Sequence, residues 1–232
     1  MKTVKLRLNN ESNYFMREAF NTLRTNILFC GNSIKTIAIT SCFAHEGKTT
    51  VALETARSLS EFGKRVLLID ADLRKSVLVS RYTEQSGIEG LSQLLSGQSD
   101  LAATVYHTQF ENLDIIFAGP YPPNPTELVG SDAFHQLIEA VKPHYDYVII
   151  DTPPLGLVID AAVISEICDG AIVVLYRGKV KIRMAQGMIE QLRKSGCKVL
   201  GAVLNEPMHN RRIGSSKDYS SYYYYSSKKS DS

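Results

Sequence analysis

The chain has 232 residues, 44% of them hydrophobic, and a formal net charge of only +2. That much apolar chain with no linker composition in its middle suits one domain with one sizeable core, and the near balance of charge argues against a nucleic-acid binder, whose affinity rests on neutralising phosphates. Asp151, Pro153, Pro154 and Asp160 interrupt the longest apolar stretches, short of the roughly 18 residues a membrane span needs, and no apolar leader follows Lys2, Lys5 and Arg7, so a cytosolic protein is expected.

Residues 11–29 place Phe15, Ala19, Leu23, Ile27 and Leu28 at helical spacing, with Ser12 or Asn13 as cap. Glu18, Asn21 and Arg24 fall on the polar face, which reads first as a solvated surface. Lys35 to Ile39 is a short β-branched run of the buried-strand type, and Val51 to Phe62 reads as a helix. Between them Thr40-Ser41-Cys42-Phe43-Ala44-His45-Glu46-Gly47-Lys48-Thr49-Thr50 has the order strand, tight loop, helix start. A helix start offers unpaired N–H groups and partial positive charge. Gly47 lets backbone approach a phosphate oxygen, Lys48 adds a full charge, and Thr49 can ligate Mg²⁺. The spacing is that of a phosphate-binding loop whose first glycine is replaced by Cys42. Cys30, Cys42, Cys168 and Cys197 form no C-x-x-C pair and read as reduced thiols.

Lys64 to Ile69 introduces a second buried strand whose carboxyl end delivers Asp70 and Asp72, followed by Arg74. In an open α/β sheet ligands bind at strand carboxyl ends, so these acids are expected beside the phosphate loop. Residues 81–100 are polar, with a short helix from Leu91 to Leu95 and a turn at Ser96-Gly97. Leu113 to Ala118 reads as a strand. Tyr121-Pro122-Pro123-Asn124-Pro125 reads as a stiff loop, because each proline fixes its own φ and extends its predecessor. A helix from Thr126 or Ser131 to about Val141 follows.

Tyr145 to Ile150 is another buried strand, ending in Asp151 and stopped by Pro153-Pro154. A carboxylate there can accept hydrogen bonds from Mg²⁺-bound water or the Mg²⁺-ligating threonine. Gly170–Tyr176 and Lys198–Asn205 supply two more strands, separated by a helix from Ile182 to Arg193. Strands alternating with helices predict an α/β domain, a mostly parallel sheet with helices on both faces. The last two dozen residues change character. From Pro207 onward five Lys or Arg stand against two Asp, and Tyr219, Tyr222, Tyr223, Tyr224 and Tyr225 cluster. Such a composition cannot bury enough surface to offset ordering entropy, and its plain reading is a mobile low-complexity tail.

The combination resembles the bacterial tyrosine kinases that control capsule and exopolysaccharide synthesis, over nearly the whole chain. His45-Glu46-Gly47-Lys48-Thr49 is similar to their Walker A motif, Leu67 to Arg74 to their Walker A′ motif, Val148 to Pro154 to their Walker B, and Pro122 to Leu128 to a loop of the same family. Two departures stand out: Ala44 replaces a proline of the Walker A motif, and Asn21 replaces the first arginine of the helix motif E-x-x-R-x-x-R used in ring assembly. The resemblance implies a P-loop fold of the deviant-Walker, partitioning-ATPase class, with a kinase domain over residues 1–207 and a tyrosine-rich tail over 208–232. It implies ATP held by Glu46, Gly47, Lys48, Thr49, Thr50 and Asn205, with Mg²⁺ at Thr49, Asp72 and Asp151. Catalytic roles fall to Lys48, Asp70 and Asp72, the two acids being interchangeable as the group that orients the acceptor hydroxyl. The five tail tyrosines would be the phosphoacceptors, and Glu18 and Arg24 would join subunits in a homo-oligomeric ring. Expected partners are a separate membrane activator, to which Met1–Asn10 contributes docking and which brings the cytoplasmic kinase to the inner membrane face, and a cognate tyrosine phosphatase. A partitioning or division-type ATPase, or a nucleotide-switched scaffold, is the rival reading. Those ATPases carry a second lysine early in the phosphate loop, where this chain has Phe43 and Ala44.

Overall fold

A strand covered by helices on both faces has no side for polar residues, which is why interior strands read as unbroken apolar runs. The computed structural model, which describes residues 2–8 and 14–205, assembles its sheet from such runs. The first half contains β1 (Lys2–Thr3), α1 (Tyr14–Phe29), β2 (Thr36–Ser41), α2 (Lys48–Glu61), β3 (Val66–Asp70), α3 (Leu78–Tyr82), α4 (Leu91–Leu95), α5 (Leu101–Thr104) and β4 (Val105–His107). The second contains β5 (Leu113–Ile116), α6 (Pro125–Val129), α7 (Asp132–Val141), β6 (Tyr147–Asp151), α8 (Asp160–Glu166), β7 (Gly170–Tyr176), α9 (Ile182–Lys194) and β8 (Val199–Asn205). Among the described residues the sheet order is β1-β4-β5-β3-β6-β2-β7-β8, and every pairing is parallel except β4–β5.

Alternation along each strand sorts the core into two layers. Ile37, Ile39, Val66, Leu68 and Ile149 pack with Ile27 of α1, with Val51, Leu53, Ala56 and Leu59 of α2 and with Leu78 of α3. Leu67, Ile69, Val148 and Ile150 pack on the opposite face with α4, α6, α7 and α8, continued by Ala38, Ala171 and Val173 under α8 and α9. By the same parity Asp70 follows Val66 and Leu68, and Asp151 follows Tyr147 and Ile149. Both carboxylates therefore share the face of α2.

Several boundaries differ from the sequence expectation for physical reasons. The helix after the phosphate loop starts at Lys48 rather than Val51, because left-handed Gly47 (φ 87°) turns the chain straight into it. β5 stops at Ile116, since the Phe117 and Ala118 carbonyls accept from the Leu91 and Ser92 N–H groups at the start of α4 (2.7 and 2.9 Å). Pro125 belongs to a helix and not to the preceding loop: its fixed φ suits a first helical position, where no N–H is needed. The expected helix to Val141 is two helices, α6 and α7, broken at Gly130-Ser131. α3, α5 and β4 occupy stretches that show no periodicity. Residues 11–13, where the first helix was expected to begin, and the whole tail with Tyr219, Tyr222, Tyr223, Tyr224 and Tyr225, lie outside the described residues.

Residues 2–8 are built into the fold. β1 pairs with β4, Val4 and Leu6 are buried, and Gln109 clamps Leu6 at both its N–H (2.8 Å) and its carbonyl (2.6 Å). At the opposite end of the sheet Asp169 accepts from Lys35 N–H, Thr36 N–H and the Thr36 hydroxyl (2.9, 2.8 and 2.9 Å) and pairs with Lys142 (3.0 Å), fixing where β2 begins. Among the described residues no helix is long and apolar enough to cross a membrane.

Candidate active site at the carboxyl ends of β2, β3 and β6

β2 hands the chain to a loop that closes on itself. Ser41 Oγ donates to the Phe43 carbonyl (2.8 Å), and Phe43 N–H donates to Glu46 Oε2 (2.9 Å). Asn205, the last residue of β8, donates from Nδ2 to the Glu46 carbonyl (2.9 Å), so the far edge of the sheet holds the loop's shape. Gly47 is required for its positive φ, and a Cβ there would also displace the Asn205 amide. Cys42 is accommodated from the other side: its carbonyl occupies the space a Cβ on Gly156 would take. The first helical hydrogen bond closes at Val51 N–H to Gly47 O (2.9 Å), and among the described residues the N–H groups of Lys48, Thr49 and Thr50 have no backbone acceptor. They form an anion-binding helix start.

Against this loop stand the acids. Asp70 and Asp151 are register partners on adjacent strands, and both are 1% exposed. Lys48 Nζ lies 2.9 Å from Asp72 Oδ2, 3.4 Å from Thr49 Oγ1 and 3.7 Å from Asp151 Oδ1. Asp70 accepts from Ser76 Oγ (2.5 Å) and from Asp72 N–H (3.2 Å). Burial first, and then the neighbouring Asp151 charge, push the Asp70 carboxyl up to about 7 against the pull of Ser76 and Lys48. Burial also raises Asp151, although Lys48 and Thr49 pull the other way. Burial alone would lower the Lys48 pKa, but the Asp151 and Asp72 charges outweigh it and hold the ammonium protonated. A cluster in which one ammonium balances three buried carboxylates is unusual in a structural core and common where charge must be handled.

The comparisons with known proteins follow the same geometry. Residues 34–199 match the family model described as an AAA domain. The tyrosine-protein kinase CpsD of Streptococcus agalactiae is 42% identical over 205 residues, which is 88% of this chain and 89% of that protein. The chain belongs to the bacterial tyrosine-protein kinases. Among solved structures, the kinase domain of Escherichia coli tyrosine kinase ETK matches this kinase with a TM-score of 0.79 and 32% identity, over 85% of this chain and 78% of that one. The cell division ATPase MinD of Pyrococcus furiosus shares the fold at a lower TM-score of 0.63 and 26% identity, over 74% of this chain and 71% of that one. The kinase is thus a P-loop protein of the division-ATPase fold class.

The site of this kinase suits a hard divalent cation. Asp72 Oδ2, Thr49 Oγ1 and Asp151 Oδ1 converge on the Lys48 ammonium, all oxygens and all within 3.7 Å of one positive charge. Asp151 Oδ1 is buried without a hydrogen-bond donor. Among the described residues no three His, Cys, Asp or Glu side chains close a complete metal cage. Mg²⁺ does not require one, because it takes one or two carboxylates and completes its shell with water and phosphate oxygens. The other expected residues divide. Glu46 sits inside the loop as its brace, with Oε1 buried and without a donor. Thr50 turns its hydroxyl away to Tyr82 of α3 (2.9 Å) and faces the loop only through its backbone. Glu18 accepts from Asn21 Nδ2 (3.0 Å), and Arg24 donates to the Ser58 carbonyl and hydroxyl (3.1 and 3.2 Å) while stacking on Phe62, so both are engaged within the α1–α2 pair.

One group beside the site escaped the sequence reading, and another showed only part of its role. Ser76, the donor to Asp70, lies in a stretch with no motif. Arg74 donates to both oxygens of Asp160 (2.7 and 3.2 Å) and to Thr126 Oγ1 (2.7 Å), and Thr126 in turn donates to Asp160 (2.7 Å). This knot ties the loop carrying Asp72 to the starts of α6 and α8. Arg74 stood out in the sequence only as part of a motif, and Asp160, 2% exposed, only as a break in an apolar run.

Proposed function

We propose that this kinase transfers the terminal phosphoryl group of ATP to tyrosine hydroxyls, first those of its own tail. The observation that carries the reading is the convergence of Lys48, Thr49, Asp72 and Asp151 at the mouth of a phosphate loop, beside a third carboxylate, Asp70, pushed up to about 7. Transfer of this kind has a loose transition state and relies on positioning and charge neutralisation more than on covalent chemistry. The backbone N–H groups of Gly47 to Thr50 and the Lys48 ammonium hold the β- and γ-phosphates. Thr49, Asp72 and Asp151 hold Mg²⁺, which when bound neutralises phosphate charge. Moving toward the phosphates, Lys48 would vacate the oxygens it now bridges. Asp70 orients the incoming tyrosine hydroxyl and takes its proton late, since a phenol with pKa near 10 yields little to a carboxylate before bond formation. Asn205 keeps its carbonyl oxygen available to the adenine amino group, its Nδ2 being given to the loop.

Tyr222 is the seventeenth residue after Asn205, a coil of roughly 25 Å on average and about 55 Å at full stretch, so a tail reaches its own site or a neighbour's. A ring built through α1, with Glu18 and Arg24 at its seam and the exposed Phe15 and Phe29 beside them, would set each tail against the next subunit. Each phosphate adds about −1.5 to −2 charge. Repeated modification turns the basic tail acidic, expels it from an acidic site and loosens the ring, until a tyrosine phosphatase restores it. A separate membrane protein recruits and activates the kinase at the inner membrane face, coupling it to capsule or exopolysaccharide synthesis and export.

Purified chain incubated with ATP and Mg²⁺, with and without a candidate activator, is assayed for phosphotyrosine and for free phosphate. Phosphotyrosine on the tail that disappears in Lys48→Met supports the reading. Phosphate release to water with no phosphotyrosine under any condition supports the ATPase rival. An unchanged oligomer size after incubation with ATP and Mg²⁺ removes the link between modification and assembly.

A further inference from the structure

Among the described residues only His45 (φ 65°) and Asn112 (φ 64°) hold a left-handed backbone without being glycine. Asn112 closes the turn into β5, where its carbonyl accepts Val66 N–H (2.8 Å), an ordinary post for a short amide that tolerates this conformation. His45 lies in a turn as well, the one at Ala44-His45 inside the phosphate loop. It stands on the solvent rim of the phosphate loop, two residues before Gly47, where glycine would adopt the same backbone without steric cost. A side chain kept in a conformation that disfavours it points to a use for that side chain.

The neighbours narrow the use. Three of the loop's other polar groups are committed: Ser41 Oγ to the Phe43 carbonyl, Glu46 Oε2 to Phe43 N–H and the Glu46 carbonyl to Asn205. The His45 imidazole is exposed, and among the described residues no hydrogen bond or ion pair engages it. Cations are scarce here. Lys48, the one cation assigned to the phosphates, is shared with the Asp72–Asp151 cluster, and Arg74 is held by Asp160. A triphosphate seated on the free N–H groups at the start of α2 therefore meets, among the described loop side chains, an imidazole nitrogen that no other group engages.

We propose that His45 is a specificity-determining residue of the nucleotide site: its imidazole donates a hydrogen bond to the terminal phosphate of bound ATP and favours the triphosphate over the diphosphate. The inference rests on the ATP-dependent reading of the site and adds a contact to it.

The test sets stability against affinity. His45→Gly keeps the loop conformation and removes its strain, so the melting temperature rises. ATP binding, measured by calorimetry with Mg²⁺ present, weakens about tenfold, while ADP binding changes less than about twofold, as for one lost hydrogen bond to an ionised group. His45→Asn, which tolerates the same backbone but carries a shorter donor, falls between the two. An ATP-to-ADP affinity ratio equal in wild type and His45→Gly overturns the inference while leaving the kinase reading intact. So does a rise in the KM for a tyrosine peptide at unchanged ATP affinity, which would assign the ring to the acceptor. Wild-type chain that binds neither nucleotide overturns the ATP-dependent reading and this inference together.

Discussion

The two ends of the central strands carry the same residue type in opposite states. At the amino end Asp169 is surrounded by donors: burial would raise its pKa, but the Thr36 and Lys35 N–H groups, with Lys142 and the Thr36 hydroxyl, hold it below the usual carboxylate range. At the carboxyl end Asp70, more deeply buried and facing a second carboxylate, is pushed up to about 7. The difference lies in the supply of partners. An acid whose oxygens are saturated by its own backbone serves the frame, whereas acids left short of donors beside one lysine keep their bonding capacity for a ligand.

The strongest way to break the comparison is Lys48→Met, which should lower phosphotyrosine formation about 10³-fold or more; retained transfer in a single-turnover assay would mean that the carboxyl end is not the working end. Asp169→Ala should cost about 2–4 kcal/mol in urea unfolding at pH 7.5 and leave turnover per folded molecule unchanged. Asp169 is held below its unfolded pKa, so its contribution is present above about pH 4 and is lost as the pH falls through the folded value; the gap between wild type and variant should close on acidification. Asp70→Asn should do the reverse. Its carboxyl is held above its unfolded pKa, so its stability contribution is full below about pH 4 and declines as the pH rises through about 7. The nucleotide- and metal-free variant should therefore be more stable than wild type by about 1–2 kcal/mol at pH 8, while transfer falls on the order of 10²-fold. The smallest effect belongs to Asp160→Asn. Loosening the Arg74–Thr126 knot should slow transfer about tenfold and leave ATP affinity unchanged, as expected for a group that positions the loop of Asp72 without touching substrate.

The working end was legible in the sequence because its signals are local. An apolar run that stops at an acid, as at Ile69-Asp70 and Ile150-Asp151, reports a strand and the carboxylate at its tip in a few consecutive residues. The phosphate loop is equally compact. The frame was less legible because its contacts are distant. Asp169 beside Gly170 looks like a turn former, and its partners lie 133 and 134 residues away. Arg74 and Asp160 are 86 residues apart. β4 has three residues and α5 four, too few to display a period. Thr50 looked like a phosphate ligand by position, yet its hydroxyl goes to Tyr82 because α3, which no pattern announced, packs against that side of α2.

The strand order has a mechanical corollary. β1 and β8 are opposite margins of the sheet, seven spacings of about 4.8 Å apart, or roughly 34 Å. Through Asn205 the β8 margin touches the phosphate loop, whereas the β1 margin is a remote handle. A surface or bulky label attached beside Lys2 would grip the molecule without crowding its catalytic rim, and a dye pair across the two margins would act as a ruler for strain in the sheet itself.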